Sequence, residues 1–174
     1  MYKLKFTRLQ NEIFRILCIK SGENLNQRNV AKLLKVSPTA VAKAIKDLIK
    51  LELLKNEKSN NMNLSLIQLN RENHKAITYK RIENLKMIYE SNLVECLFES
   101  FPGSKIVLFG SYSLGEDTTK SDIDIAIIGA KEKDIDLIKY NKLLEREINI
   151  NYYTDLKEIN KNLRENIMNG VVLH

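Results

Sequence analysis

The 174-residue sequence predicts an α+β chain of two domains, and three observations predict it. Apolar residues recur at helical spacing through the first fifty positions and then alternate with polar ones, which is the pattern of helices followed by a hairpin. Charge is unevenly shared: residues 1–70 carry 13 Lys and Arg against 5 Asp and Glu, net +8, and residues 71–174 carry 15 against 17, net −2. Beyond a long Pro- and Gly-free stretch, short apolar runs alternate with helical patterns, the arrangement of an α/β half. One of those runs, GSYSLGEDTTKSDIDIAII at 110–128, is broken by two carboxylates.

Each element follows from local signals. Phe6, Leu9, Ile13, Ile16 and Leu17 share a helical stripe, so 7–20 reads as an amphipathic helix stopped by Ser21-Gly22. Val30, Leu33 and Leu34 mark a second helix near 27–35. Ser37-Pro38 starts a third, since Ser37 can cap and Pro38 suits the first helical position; it runs to about residue 50 with Val41, Ile45, Leu48 and Ile49 inside. Leu51, Leu53, Leu64 and Leu66 alternate around Ser59-Asn60-Asn61 as a hairpin. Residues 73–101 repeat Leu85, Tyr89, Leu93, Leu97 and Phe101 every four positions, predicting one long helix or two abutting ones, ended by Pro102-Gly103. Strands are expected at 105–109, 122–128 and 147–153. Helices are expected at 133–146 and over the stripe of Leu156, Ile159, Leu163 and Ile167, with Gly170 at its end. The domain limits expected are 1–70, a helical linker 71–84, and 85–174.

At 44% hydrophobic and 29% charged residues the composition is that of a globular protein rather than a disordered chain. No apolar run approaches the roughly 18 residues that span a membrane, and MYKLKFTRLQ lacks a signal-peptide core, so no membrane association and a cytoplasmic location are expected. Cys18 and Cys96 stand alone, without the spacing of a zinc site or a disulfide framework, and read as free thiols. His74, in a polar segment, and His174, the last residue given, read as surface positions.

Three helices and a hairpin, with a short turn between the second and third helices, are the layout of a winged helix-turn-helix. The segment NVAKLLKVSPTAVAKAIKDLIKLELL resembles the DNA-binding core of MarR-like winged-helix regulators. The resemblance implies that DNA is bound through residues 1–70, with the third helix in the major groove. Thr39, Ala40, Lys43 and Lys46 are its outward positions, and Arg28, Lys55 and Lys58 are placed for phosphates. The competing use of such a module is protein contact or dimerisation.

The interrupted run carries the chemistry. A strand ending in Gly110-Ser111 and turning into a helix presents free backbone N–H groups and a hydroxyl, which suit phosphate oxygens. Gly110 permits close backbone approach and Gly115 a turn. In a strand, Asp122 and Asp124 point to one face about 7 Å apart, a hard anionic edge suited to Mg²⁺ or Mn²⁺. Ser121 can hydrogen-bond the turn or orient a carboxylate.

Gly110-Ser111, Gly115, Ser121-Asp122 and Asp124 resemble the Gly-Ser…Ser-Asp-x-Asp signature of the polymerase-β nucleotidyltransferase superfamily, particularly its minimal prokaryotic members. The ending LRENIMNGVVLH is similar to their terminal helix and short strand. The resemblance covers roughly 85–174 and implies a C-terminal α/β fold with a short mixed sheet. It further implies nucleotide binding at Gly110, Ser111, Gly115 and Ser121, and catalytic metal carboxylates at Asp122 and Asp124. A third ligand is expected from EININYY, where Asn149 stands at the family's Asp; Glu147 and Asn151 share its parity, and Glu147 would take its place if the register slipped by two. Leu114 stands where many minimal members carry Arg. The implied activity is transfer of a nucleoside monophosphate from an NTP, ATP being the expected substrate, to a hydroxyl acceptor with Mg²⁺ or Mn²⁺. The alternative is a DNA-binding regulator or an antitoxin-type protein whose second half only binds nucleotide or a partner. A homodimer seam along the long helix and a small helical toxin-like partner, the latter implied by the family alone, complete the expected partners. Tyr152 and Tyr153 are candidates to stack a base or to pack a strand face.

Overall fold

A computed structural model describes residues 6–58 and 65–174 of the protein. The chain divides into two compact units, 1–80 and 81–174. The first holds 16 Lys and Arg against 6 Asp and Glu, net +10, and the second 12 against 16, net −4. The expected linker at 71–84 straddles this division.

In the first unit, α1 (Arg8–Ile19) starts at a reciprocal cap: the Thr7 hydroxyl accepts the Gln10 N–H at 3.3 Å and the Gln10 side chain accepts the Thr7 N–H at 2.7 Å. The buried Gln10 amide also donates to Asp47 Oδ2 at 2.9 Å and to the Ala44 carbonyl at 3.3 Å, tying α1 to α3. Strand β1 (Leu25–Asn26) runs into α2 (Gln27–Leu34), capped by Asn26. Lys35, with φ 54°, turns the chain toward α3 (Pro38–Lys50), where Ser37 caps at 3.1 Å and Pro38 opens the helix. Strands β2 (Leu54–Lys58) and β3 (Ser65–Leu69) pair antiparallel, and β1 joins the other edge of β3. Helices α1, α2 and α3 with this three-stranded sheet form a winged helix-turn-helix around Ile13, Leu17, Val30, Val41, Ile45 and Leu48.

Two expectations change here. Leu51 and Leu53 are not strand residues: Leu51 is the C-cap of α3, and the chain turns through Glu52 (φ 59°) before β2 begins. Leu33, one of the three apolar residues that mark α2, is exposed, whereas Val30 is buried. Ser59, Asn60, Asn61 and Leu64 lie outside the described residues.

Helix α4 (His74–Glu90) and α5 (Leu93–Ser100) are two abutting helices, separated at Asn92 with φ 60°. That break resets the helical phase. Leu93, Leu97 and Phe101 are buried as their spacing predicts, but on α4 the buried positions of the second unit are Asn84, Met87 and Ile88, with Tyr89 exposed.

The second unit is a four-stranded mixed sheet in the order β6-β5-β4-β7. Strand β4 (Lys105–Phe109) pairs antiparallel with β5 (Ile123–Ile128) and with β7 (Val171–Val172), while β6 (Ile148–Tyr153) runs parallel to β5. Between β4 and β5 lies the five-residue α6 (Gly110–Leu114), and between β5 and β6 lies α7 (Ile138–Leu144). One sheet face packs Val107, Phe109 and Ala126 against Ile159, Leu163 and Ile167; on the other, Ile106, Leu108, Ile125 and Ile127 are buried.

The helix expected at 133–146 shortens to α7. Its first part has no apolar stripe, the Asp136 carboxylate accepts the Ile138 N–H at 3.0 Å, and the Lys133 carbonyl accepts the Tyr152 hydroxyl at 2.9 Å, so the preceding segment is held in an irregular path. The helix expected from Leu156 to Ile167 is also divided. Asp155 caps a 3-10 turn at Leu156–Glu158, Ile159 is extended, and Asn160 caps a new helix, α8 (Lys161–Met168). Each short polar side chain satisfies an amide and restarts the chain. Among the described residues, no helix is long and apolar enough to cross a membrane. Both cysteines are free, Cys18 buried and Cys96 half-buried.

Candidate nucleotide and metal site

Two neighbouring strands and one tight turn assemble the site. Asp124 lies inside β5, where the antiparallel register sets it opposite Phe109, the last residue of β4. The next residue, Gly110, has φ 72°, and a Cβ there would lie 2.7 Å from Asp124 Oδ2. The Gly-Ser turn is therefore packed directly on the carboxylate, and only glycine fits both the backbone angle and the gap. Ser111 follows in α6, half-buried. Gly115, φ 79°, ends α6 in the left-handed conformation. The Ser121 hydroxyl accepts the Thr118 N–H at 3.0 Å and so closes the loop leading to Asp122.

On the other side, the parallel register sets Asn149 beside Asp124, with Ile123 beside Ile148. There is no two-residue slip, so Asn149 rather than Glu147 lies beside Asp124. Its amide donates to Asp122 Oδ2 at 3.1 Å. Burial first, and the Asp122 charge second, raise the Asp124 pKa above the ordinary carboxylate value, while the nearby Asn149 amide favours its charged form. Two carboxylates crowded on one edge, one of them retaining its proton more readily, are a set that gains from a cation.

Asp122 and Asp124 supply hard anionic oxygens, and the Asn149 carbonyl is a neutral oxygen that can turn toward a metal once its amide leaves Asp122. These three residues would hold a divalent ion. When bound, it would supply charge neutralisation for phosphate oxygens. No group of three or more His, Cys, Asp or Glu side chains suited to a metal occurs among the described residues.

A cleft of about 510 Å³ opens beside Asp122, bordered by Ser121, Asn141, Lys142 and Glu147. Tyr153 shares the Asp124 face, and burial, followed by the Asp124 charge, raises its pKa. Tyr152 belongs to the opposite face, with its ring 5.5 Å from that of Phe101, and is not beside the carboxylates. Leu114 is partly exposed.

The residues expected at DNA stand in the first unit. Arg28, Thr39, Lys43 and Lys46 are exposed and Ala40 half-buried, on α2 and α3. Lys55 on β2 is engaged at 2.5 Å by Glu72. Lys58 ends β2, and its side chain lies outside the described residues.

Sequence reasoning missed a buried polar trio beside the site: Asn84, Asp117 and Arg146, exposed by only 1%, 1% and 6%, with Arg146 also lining the cleft. Asn84 donates to Asp117 Oδ1 at 2.7 Å and to the Tyr112 carbonyl at 2.9 Å. Arg146 donates to Asp117 Oδ2 at 3.5 Å and to the Glu145 carbonyl at 2.8 Å. Asn84 breaks the apolar content of a buried helix face, which was the one available signal; Asp117 sits in a polar loop and carries none.

Residues 90–174 match the family model of the nucleotidyltransferase domain. The match takes in the Gly-Ser turn, both carboxylates and Asn149, so the nucleotidyltransferase match and the carboxylate edge fall in the same unit. Comparison with curated proteins gave no match. Among solved structures the chain is similar to a variant of ZitR from Lactococcus lactis, at 25% identity and a TM-score of 0.44, covering 58% of this chain and 66% of that one. It is also similar to the adhesin competence repressor AdcR of Streptococcus pyogenes, at 26% identity and 0.44, covering 56% and 69%. ZitR in complex with DNA matches at 26% and 0.43, covering 57% and 65%. ZitR is described as a zinc-responsive MarR family member. This chain spans just under two thirds of both ZitR chains cited with their coverage.

Proposed function

We propose that the protein is a metal-dependent nucleotidyltransferase carried on a DNA-binding winged helix. The observation that carries this reading is the contact of the Gly110 turn with Asp124, beside Asp122 and Asn149 on the adjoining strand. Phosphate oxygens are taken at Gly110 and Ser111, and Asp122 and Asp124 would hold a divalent ion, which when bound would neutralise phosphate charge. An acceptor seated in the cleft beside Asp122 presents a hydroxyl oxygen to the α-phosphorus of ATP. A bond forms between them as the bond to the bridging oxygen of the β-phosphate breaks; pyrophosphate leaves, and the hydroxyl proton is lost to solvent. The net +10 charge of the first unit and the exposed Arg28, Thr39, Lys43 and Lys46 support DNA binding there.

Incubation of the full chain with α-labelled NTPs, Mn²⁺ and hydroxyl acceptors tests the chemistry. Label transfer that disappears in Asp122→Ala and Asp124→Ala is expected; no transfer to any acceptor would count against it. A second reading is favoured by Asn149, which brings an amide where a third carboxylate would add charge: the domain binds nucleotide and adjusts DNA binding without transfer. That version requires operator affinity to change on adding ATP and Mg²⁺.

A further inference from the structure

The buried trio joins the three segments from which the site is built. Tyr112, whose carbonyl Asn84 holds, follows Ser111 directly; Asp117 lies in the loop that leads to Asp122; Arg146 stands just before the strand that carries Asn149. A buried ion pair is a poor device for stability, because desolvation offsets most of its attraction and an apolar cluster of equal volume would serve as well. What charged and amide groups add is direction. The two Asp117 oxygens receive different donors, one from Asn84 and one from Arg146, and the two Asn84 donor hydrogens receive different acceptors.

We propose that Asn84, Asp117 and Arg146 are positioning residues, a buried clasp that sets the spacing between the Gly-Ser turn and the Asp122–Asn149 edge. The inference rests on the nucleotide and metal reading above. It assigns a role to residues that touch neither nucleotide nor metal: Asp117 holds the loop, Asn84 holds α6 to it, and Arg146 references both to β6. Loosening the clasp lets the phosphate turn and the metal edge drift relative to each other, so a ligand that needs both loses affinity.

The test uses the full chain, with Mn²⁺–ATP binding measured by equilibrium dialysis of labelled ATP against the protein in the presence of Mn²⁺, and thermal melting recorded alongside. Asp117→Asn preserves shape and an acceptor for Asn84 but presents a donor to Arg146. It is expected to weaken Mn²⁺–ATP binding at least tenfold, whereas Arg146→Lys, which keeps the charge, remains within threefold of the wild type. In the double variant Asp117→Asn with Ser111→Ala, the loss is expected to be no greater than the larger single loss, because the turn is already misplaced. Fully additive losses, or Asp117→Asn binding within twofold of the wild type, would overturn the clasp. So would failure of both Asp117→Asn and Arg146→Lys to fold, which would make the trio a stability element. A wild-type chain that binds no Mn²⁺ with ATP overturns the proposed function and this inference together; wild-type binding with an unaffected Asp117→Asn overturns this inference alone.

Discussion

Gly110 has no room for a side chain, and the neighbour that denies it is Asp124. Gly110→Ala should cost about 1–3 kcal/mol from the positive φ alone and displace the carboxylate, lowering the melting temperature and Mn²⁺ affinity together. Asp124 itself is held at a cost. Its pKa is raised in the folded state, by burial and then by Asp122, so its contribution to stability is present below the unfolded carboxylate pKa and is lost as pH rises through the folded value. At neutral pH the ionised group therefore opposes folding. Asp124→Asn should raise the melting temperature at pH 7 by about 1–3 °C, and the gain should shrink as pH falls toward about 4, as pH-scanned calorimetry would register. Asn149→Asp should act in the opposite direction, lowering the apo melting temperature while tightening Mn²⁺ binding, because a third charge adds repulsion without metal and a ligand with it.

At the scale of elements, stability depends on a few polar residues at helix ends. Ser37→Ala removes the cap of α3 and should destabilise the first unit by about 1 kcal/mol, visible as a shifted denaturation midpoint with an unchanged slope. Gly170 ends α8 so close to β4 that a Cβ would sit 2.5 Å from the Leu108 carbonyl; Gly170→Ala should therefore prevent the α8–β7 turn from seating on the sheet. The start of α1, the span of α3 and the strands β4, β5 and β6 were legible from spacing, because amphipathic periods and capping residues are local. The position of the break at Asn92 was not: an every-four pattern continues across it in sequence, although the helix does not. Asp155 and Asn160 were equally hidden, since a capping side chain inside an apolar stripe looks like an ordinary polar position until its amide partner is known.

For the whole molecule, charge is divided by unit, with +10 before residue 81 and −4 after it. DNA affinity measured over a range of salt should locate the polyanion-binding surface accordingly. Lys43→Ala and Lys46→Ala should each weaken binding across sequences and reduce the salt slope by about 1, while Lys142→Ala in the second unit should leave it unchanged.

The two-part plan, the winged-helix layout, the Gly-Ser turn and the Asp-x-Asp strand are written in neighbouring residues and their periods. The rest depends on which distant segments meet when the chain folds. Pairing of β5 with β6 set Asn149, not Glu147, beside Asp124, because strand register depends on which faces are buried together. Folding likewise joined Asn84, Asp117 and Arg146, whose common purpose cannot be read along the chain: a buried polar residue is intelligible only through partners that lie far away in sequence.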